Sequence, residues 1–258
     1  GREFNGNLDH LGRPVDKNTG RLLGMVDFKR GFALSSNQVF GVLGKELADK
    51  NPNLIEEYAE RLGLIHPIGW NGSVFHTSLI KQLPEEKSGV IWTQSSMKKD
   101  ENFVANTSIG QLNVKVTPLA IANMMATIAR GGERMMARAA TKAVDDDGLT
   151  IATFKEQPID GKAISKITAS KLQQLLRGVV TTTGKYATAG KLHTAKYDVA
   201  GKSGTAEIGA KEDKTKQMYN KWFAGYFPFQ KPKYAMVIVN LDTVSKSGAV
   251  TPLYLQMV

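Results

Sequence analysis

Three strand-like runs follow one another toward the C-terminal end of the chain, over 197–208, 221–229 and 233–242, and what precedes them reads mainly as helix and turn. Consecutive strands after a block of helices favour an antiparallel sheet, because parallel neighbours need a long crossover between each pair. Gln230-Lys231-Pro232-Lys233 joins the last two runs with a spacing suited to a hairpin. The expected class is α+β, an antiparallel sheet flanked by helices, in one domain over 1–258. Residues 1–24 are expected as an irregular excursion, 25–196 as a mainly helical part, and 197–258 as the sheet strands with the start of a last helix.

The helical part has its own punctuation. Phe28, Phe32, Val39, Phe40, Leu43 and Leu47 recur at three- and four-residue spacing, which predicts helix from Val26 to Leu47. Leu34-Ser35-Ser36-Asn37 interrupts it, and a helix restarts there because Ser and Asn side chains bond free backbone groups. A second helix spans Asn53 to Leu62 and is closed by Gly63. Residues 64–108 read as a loop-rich excursion, and such length without regular structure is often functional. Over 117–132, Thr117 is a good N-cap, Pro118 suits the first helical position, and Gly131-Gly132 is a stop. The segment between is apolar nearly all round, which predicts a buried helix. Strands are expected in 134–158 around Asp145-Asp146-Asp147-Gly148. Thr168 is expected to cap a helix running to Thr182.

Composition excludes several functions. The absence of cysteine removes disulfides, thiolate metal sites and cysteine nucleophiles. The net charge of +10 suits anionic surroundings, yet the lysines are scattered, with no basic stripe interleaved with stacking aromatics; no nucleic-acid partner is expected. His10, His66, His76 and His193 lack ligand spacing. Asp145-Asp146-Asp147-Gly148 lacks the alternating ligands and terminal Glu of a calcium loop. Neither metal nor cofactor is expected. No run approaches the ~20 apolar residues that span a bilayer.

Lys202-Ser203-Gly204-Thr205-Ala206, in the first strand-like run, carries the chemistry. Side chains alternate along a strand, so Ser203 and Thr205 point to one face and Lys202 and Gly204 to the other. Gly204 leaves room for a ligand against the backbone. A strand edge of this kind can pair with an extended peptide and grip its carboxylate.

Three motifs occur in order: Ser35-Ser36-Asn37, of Ser-x-Asn form; Ile109-Gly110-Gln111 followed by Val116-Thr117-Pro118-Leu119; and Gly201-Lys202-Ser203-Gly204-Thr205-Ala206 followed by Trp222-Phe223-Ala224-Gly225-Tyr226-Phe227-Pro228. The ordered set, across most of residues 25–258, resembles the transpeptidase domain of penicillin-binding proteins, in its class B, monofunctional form. The resemblance implies a D,D-transpeptidase that cross-links peptidoglycan stem peptides by serine acyl transfer and binds β-lactams. A β-lactam sensor, a serine β-lactamase and a non-catalytic scaffold of the same fold share these motifs.

The resemblance also implies roles. Ser35 helps pass a proton to the departing amine, and Asn37 holds the substrate amide. Lys202 supplies positive potential near the substrate carboxylate, which Ser203 and Thr205 bond. The Thr205 N–H forms half of an oxyanion hole, and Gly204 and Ala206 complete the binding strand. Gly110-Gln111 is structural support. The family's Ser-x-x-Lys nucleophile motif comes before Ser-x-Asn, and no such spacing precedes Ser35 in these residues. Ser95-Ser96-Met97-Lys98 has the spacing, but in a polar stretch after Ser-x-Asn, where a chance match is expected. The chain is therefore expected to be the part downstream of the nucleophile, inactive alone and stable only with the missing N-terminal portion of the same domain. A membrane anchor beyond these residues and an extracytoplasmic location at the cell membrane complete the implication.

Overall fold

The computed structural model describes all residues except 19, 75–78, 92–100, 113, 160, 211–216 and 245–249. The two ends of the N-terminal excursion pair with each other: β1 (Glu3–Asn5) runs antiparallel to β2 (Met25–Asp27), with Phe4 opposite Val26. Both are buried against Val39. Val26 thus belongs to a strand, not to the helix its spacing suggested. The Asp27 carboxylate accepts from the Arg30 N–H at 2.7 Å and so fixes the start of α1 (Phe28–Ala33) just after it. α2 (Asn37–Lys50) and α3 (Leu54–Arg61) follow. The Phe28, Phe32 and Phe40 rings, with centroids 6.0 to 6.3 Å apart, pack α1 against α2.

The stretch expected as loop holds three two-residue strands, β3 (Asn71–Gly72), β4 (Ile80–Lys81) and β5 (Val90–Ile91), and one helix, α4 (Glu101–Ser108). β3 pairs with β4, and β5 with β6 (Val114–Lys115). The Glu-Asn-Phe-Val-Ala-Asn-Thr-Ser sequence of α4 has little helical periodicity, and tertiary packing on α2 supplies what propensity does not. The approach is close: a Cβ on Gly44 would lie 1.8 Å from Ser108 Oγ. In addition, His10 Nε2 bonds Asn106 Oδ1 at 2.9 Å.

α5 (Pro118–Ala129) is capped by Thr117, whose hydroxyl accepts from the Ala120 N–H at 3.1 Å. It ends at Gly131 and Gly132, both in the left-handed region. It is not buried all round: Met125 and Ile128 face the core while Leu119 is exposed. β7 (Lys142–Val144) and β8 (Thr150–Thr153) flank the acidic turn, where the Asp145 carboxylate accepts from the Asp147 and Leu149 N–H groups at 3.1 and 2.8 Å. α6 (Lys166–Thr181) is capped by Ser165 rather than Thr168. Ser165 Oγ accepts from the Thr168 N–H at 3.1 Å, so Thr168 is the residue being capped. A 3-10 turn at Gly190–Thr194 leads to the sheet.

β9 (Ala200–Ala210), β10 (Gln217–Phe227) and β11 (Tyr234–Thr243) form an antiparallel sheet in the order β11-β10-β9. α7 (Val250–Met257) closes the order of elements. The sheet divides two cores by strand alternation. Ala200, Ala224 and Tyr226 pack with Met125 and Ile128 of α5 and Ala169 and Leu176 of α6. Phe223 and Phe227 pack with Val179 and Val180 at the end of α6 and with Tyr254 of α7. The Phe223 and Tyr254 rings meet edge to face, 4.6 Å between centroids. Gly225 lies beneath them because a Cβ there would fall 2.6 Å from the Ala200 carbonyl oxygen and 3.0 Å from Tyr254 Oη. β9 borders no strand but β10 among the described residues, and the α1–α2 junction is brought alongside it.

Candidate active site

Ser35 stands at the junction where α1 stops and α2 has not yet begun. Its N–H bonds the Phe32 carbonyl at 3.2 Å and the Ser36 N–H bonds the Gly31 carbonyl at 2.8 Å, a tight reversal that leaves Ser35 with φ 54°. A non-glycine residue in the left-handed region is uncommon and costs on the order of 1–3 kcal/mol, so its surroundings must hold it there. Arg21 is one support. It donates from Nη2 to the Leu34 and Tyr186 carbonyls, each at 2.7 Å, and its guanidinium stacks over the Tyr186 ring at 5.4 Å. The excursion, the Ser35 turn and the loop after α6 thus meet on one side chain.

Lys202 reaches the same point from β9. Its Nζ donates to Ser35 Oγ, 167 positions away in sequence, and to the Ser203 carbonyl at 2.9 Å. Opposed residues of an antiparallel pair share a face, and Lys202 pairs with Ala224 while Ser203 pairs with Phe223. Lys202 therefore leaves the sheet on the α5 and α6 side, and Ser203 on the α7 side. Burial, with a smaller contribution from the Arg21 charge, brings the Lys202 ammonium from its usual 10.5 down to about 8. Arg21 is itself lowered by burial. Two cations close together, with water partly excluded, make this corner receptive to an anion.

The remaining binding-strand residues lie on the outer edge. Ser203 and Ala206 are half-buried, and Gly204 and Thr205 are exposed. A Cβ on Gly204 would meet only Trp222, at 3.4 Å, so internal packing does not require the glycine and the space over it opens outward. Asn37 behaves differently. It is the first residue of α2, exposed, and its amide has no hydrogen bond among the described residues. The structure joins Ser35 to Lys202 directly, and the Asn37 amide, two residues on, bonds neither of them.

One residue read only as support proves to touch the site. The Gln111 amide donates to the Thr205 carbonyl and accepts from the Glu207 N–H, each at 3.3 Å. The signal for this contact was weak, since a glutamine after a glycine turn is ordinarily solvated. Ser95, Ser96 and Lys98 lie outside the described residues. A further Ser-x-x-Lys spacing runs from Ser78, also outside them, to Lys81, which is exposed in β4. The described residues include no cluster of His, Asp and Glu that could hold a metal ion.

Comparisons with known proteins bear on the family and the fold. Residues 11–254 match the sequence profile of the penicillin binding protein transpeptidase domain. Penicillin-binding protein H of Bacillus subtilis is 35% identical over 168 residues, 61% of this chain and 22% of that protein. The peptidoglycan D,D-transpeptidase PbpA of Mycolicibacterium smegmatis is 27% identical over 217 residues, 84% of this chain and 39% of that protein. The chain therefore spans well under half of these relatives. Among solved structures, penicillin-binding protein 2B of Streptococcus pneumoniae superposes with a TM-score of 0.72 at 21% identity, over 95% of this chain and 41% of that one. Penicillin-binding protein A of M. tuberculosis, solved as its penicillin G acyl-enzyme, gives 0.64 at 25% identity over 95% and 49%. The order of motifs, the sheet with its flanking helices and the profile match make this chain a member of the penicillin-binding protein transpeptidase domain family.

Proposed function

We propose that these residues form the substrate-binding part of a D,D-transpeptidase, which cross-links peptidoglycan stem peptides by serine acyl transfer and is acylated by β-lactams. The observation that carries the reading is the Lys202–Ser35 hydrogen bond set beside an open strand edge. In this reading a D-Ala-D-Ala donor lies along the β9 edge, the Lys202 ammonium supplies positive potential near its terminal carboxylate from one face of that strand, and the Ser203 and Thr205 hydroxyls bond the carboxylate from the other. The Thr205 N–H stabilises the oxyanion; one such donor is typically worth on the order of 10²–10³ in rate. Gly204 and Ala206 give the donor backbone a flat strand to lie against.

Ser35 acts as the proton relay. Its oxygen accepts from Lys202, so its own O–H is free to donate. The nucleophile hydroxyl loses its proton as its oxygen bonds to the carbonyl carbon, the C–N bond to the departing D-alanine breaks, and that proton reaches the amine through Ser35. The unpartnered Asn37 amide bonds the substrate amide.

The nucleophile is assigned to a Ser-x-x-Lys segment outside these residues, as is a membrane anchor that places the domain at the extracytoplasmic face. No helix among the described residues is long and apolar enough to cross a membrane. β11 leaves room for a further strand: Ala235 and Val237 pack on one core and Met236 and Ile238 on the other, while at its edge it borders only β10 among the described residues.

The test is covalent labelling with a fluorescent penicillin. The full-length gene product should be labelled on a serine upstream of Gly1, and the 258-residue chain alone should not. Label on the isolated chain would place the nucleophile inside it and overturn the division. Rapid turnover of a chromogenic cephalosporin by the full-length protein would move the reading to a serine β-lactamase.

A further inference from the structure

We infer that Gln111 is a specificity-determining residue that occupies the peptide-pairing edge of β9 and must be displaced by the donor. The inference rests on the reading above, in which that edge receives a stem peptide. A residue of a parallel partner strand pairs with an edge by donating its N–H to one carbonyl and accepting from the N–H two residues on, and an antiparallel partner reaches the same two groups with successive residues of its outward-facing set. The Gln111 carboxamide does both, taking the Thr205 carbonyl and the Glu207 N–H at 3.3 Å each. A side-chain amide has the same donor and acceptor as a peptide group. Gln111 is therefore a one-residue stand-in for the donor backbone on the side of the scissile bond remote from the carboxylate.

Its position is built rather than incidental. α4 is pinned to α2 through Gly44 and Ser108, and the chain leaves α4 through a C-terminal reversal in which the Gly110 N–H bonds the Thr107 carbonyl and the Gln111 N–H bonds the Asn106 carbonyl, both at 3.0 Å. Gln111 is then flanked by two left-handed residues, Gly110 at φ 75° and Leu112 at φ 54°. Leu112 is 70% exposed, so no packing of its side chain offsets that conformation. The backbone on both sides is bent so as to deliver one amide to the strand edge. The two bonds are long and solvent-accessible, which makes them exchangeable for better-aligned bonds from a peptide.

The consequence is competition confined to ligands that need the Thr205 carbonyl. A donor whose amide N–H takes that carbonyl must first remove Gln111 from it, so loss of Gln111 speeds that donor. A donor without that N–H leaves Gln111 in place and gains nothing. A mere strut between the 109–112 turn and the sheet would show no such preference.

The experiment uses the full-length gene product and two acyl donors. One is an N-acylated tripeptide ending in D-Ala-D-Ala. The other is its analogue with the N–H facing the Thr205 carbonyl replaced by an ester oxygen. Gln111→Ala, and Gln111→Glu, which keeps the size and removes the donor, should speed acylation by the amide donor about threefold to tenfold. The ester analogue should change less than twofold. Amide hydrogen exchange at Glu207 should accelerate without ligand in Gln111→Ala, and stay slow in Gln111→Glu, whose carboxylate still accepts that N–H. Equal slowing of both donors with a lowered Tm makes Gln111 a strut and overturns the inference, as does unchanged exchange at Glu207 in Gln111→Ala. If neither donor acylates the unsubstituted protein, the transpeptidase reading fails first and this inference with it.

Discussion

The two edges of the one sheet are of similar length and opposite character. β9, with 11 residues, presents Lys202 tied to Ser35, a glycine, two hydroxyls and a backbone pair taken by the Gln111 amide. β11, with 10 residues, presents a continuous apolar run with exposed Tyr234 and Leu241 and no outer strand among the described residues. An edge meant to exchange ligands must satisfy its backbone weakly and reversibly. An edge meant to join a larger sheet needs only apolar faces and a partner. The difference separates the edge on which the proposed function rests from the edge that a further strand would extend.

The largest effect should come from the β9 edge. Lys202→Ala in the full-length protein removes the charge facing the carboxylate and the donor to Ser35, and should slow fluorescent-penicillin labelling by roughly 10²–10³. Lys202→Arg should not restore it, because a planar guanidinium cannot take the place of a point ammonium at Ser35. Labelling within tenfold of the unsubstituted protein would leave the two edges functionally alike.

Titration of Lys202 comes next. Its folded value is lowered to about 8 from 10.5, so between those limits the unfolded chain binds more protons than the folded one. Stability from this group therefore rises with pH across about 8 to 10.5, as the cost of burying a charge is relieved. Labelling should move the other way, falling roughly tenfold per pH unit above 8 as the ammonium is lost. Opposite slopes for melting temperature and labelling rate, both flattened in Lys202→Met, are the expected signature. Parallel slopes would assign the titration to another group.

The β11 edge should respond to charge and not to chemistry. Leu241 is 61% exposed. Leu241→Lys should weaken self-association of the 258-residue chain several-fold in sedimentation, since edge lysines oppose strand addition. Its effect on labelling of the full-length protein should be under twofold. The smallest effect concerns the support of Ser35. Asp27→Ala removes the cap that sets the start of α1 and should lower stability by about 1 kcal/mol in a denaturant melt.

Much of the helical layout was legible because its signals are local. Thr117, Pro118 and Gly131 mark α5 through orphan backbone groups that any helix end must satisfy. α4 was not legible, because its helix is decided by contact with α2 at Gly44 and Ser108. Val26 was misplaced for a related reason: the same apolar residue serves a helix or a strand, and pairing with Phe4 decided between them. At the site, Ser35 and Lys202 were legible as members of short motifs whose residue types suit acyl transfer. Gln111 was not, since a glutamine carries no periodicity and its partners are 94 and 96 positions away.

The order of residues by itself determined the class of fold, the three strands, the helix ends and the polar groups offered to a ligand, because each depends on neighbours within a few positions. Tertiary structure alone decided that Ser35 and Lys202 share a proton-bearing contact, that the ammonium is brought to about 8, and that Gln111 fills the β9 edge. Those properties depend on distance and exclusion of water between segments remote in the chain, and short-range pattern carries no information about either.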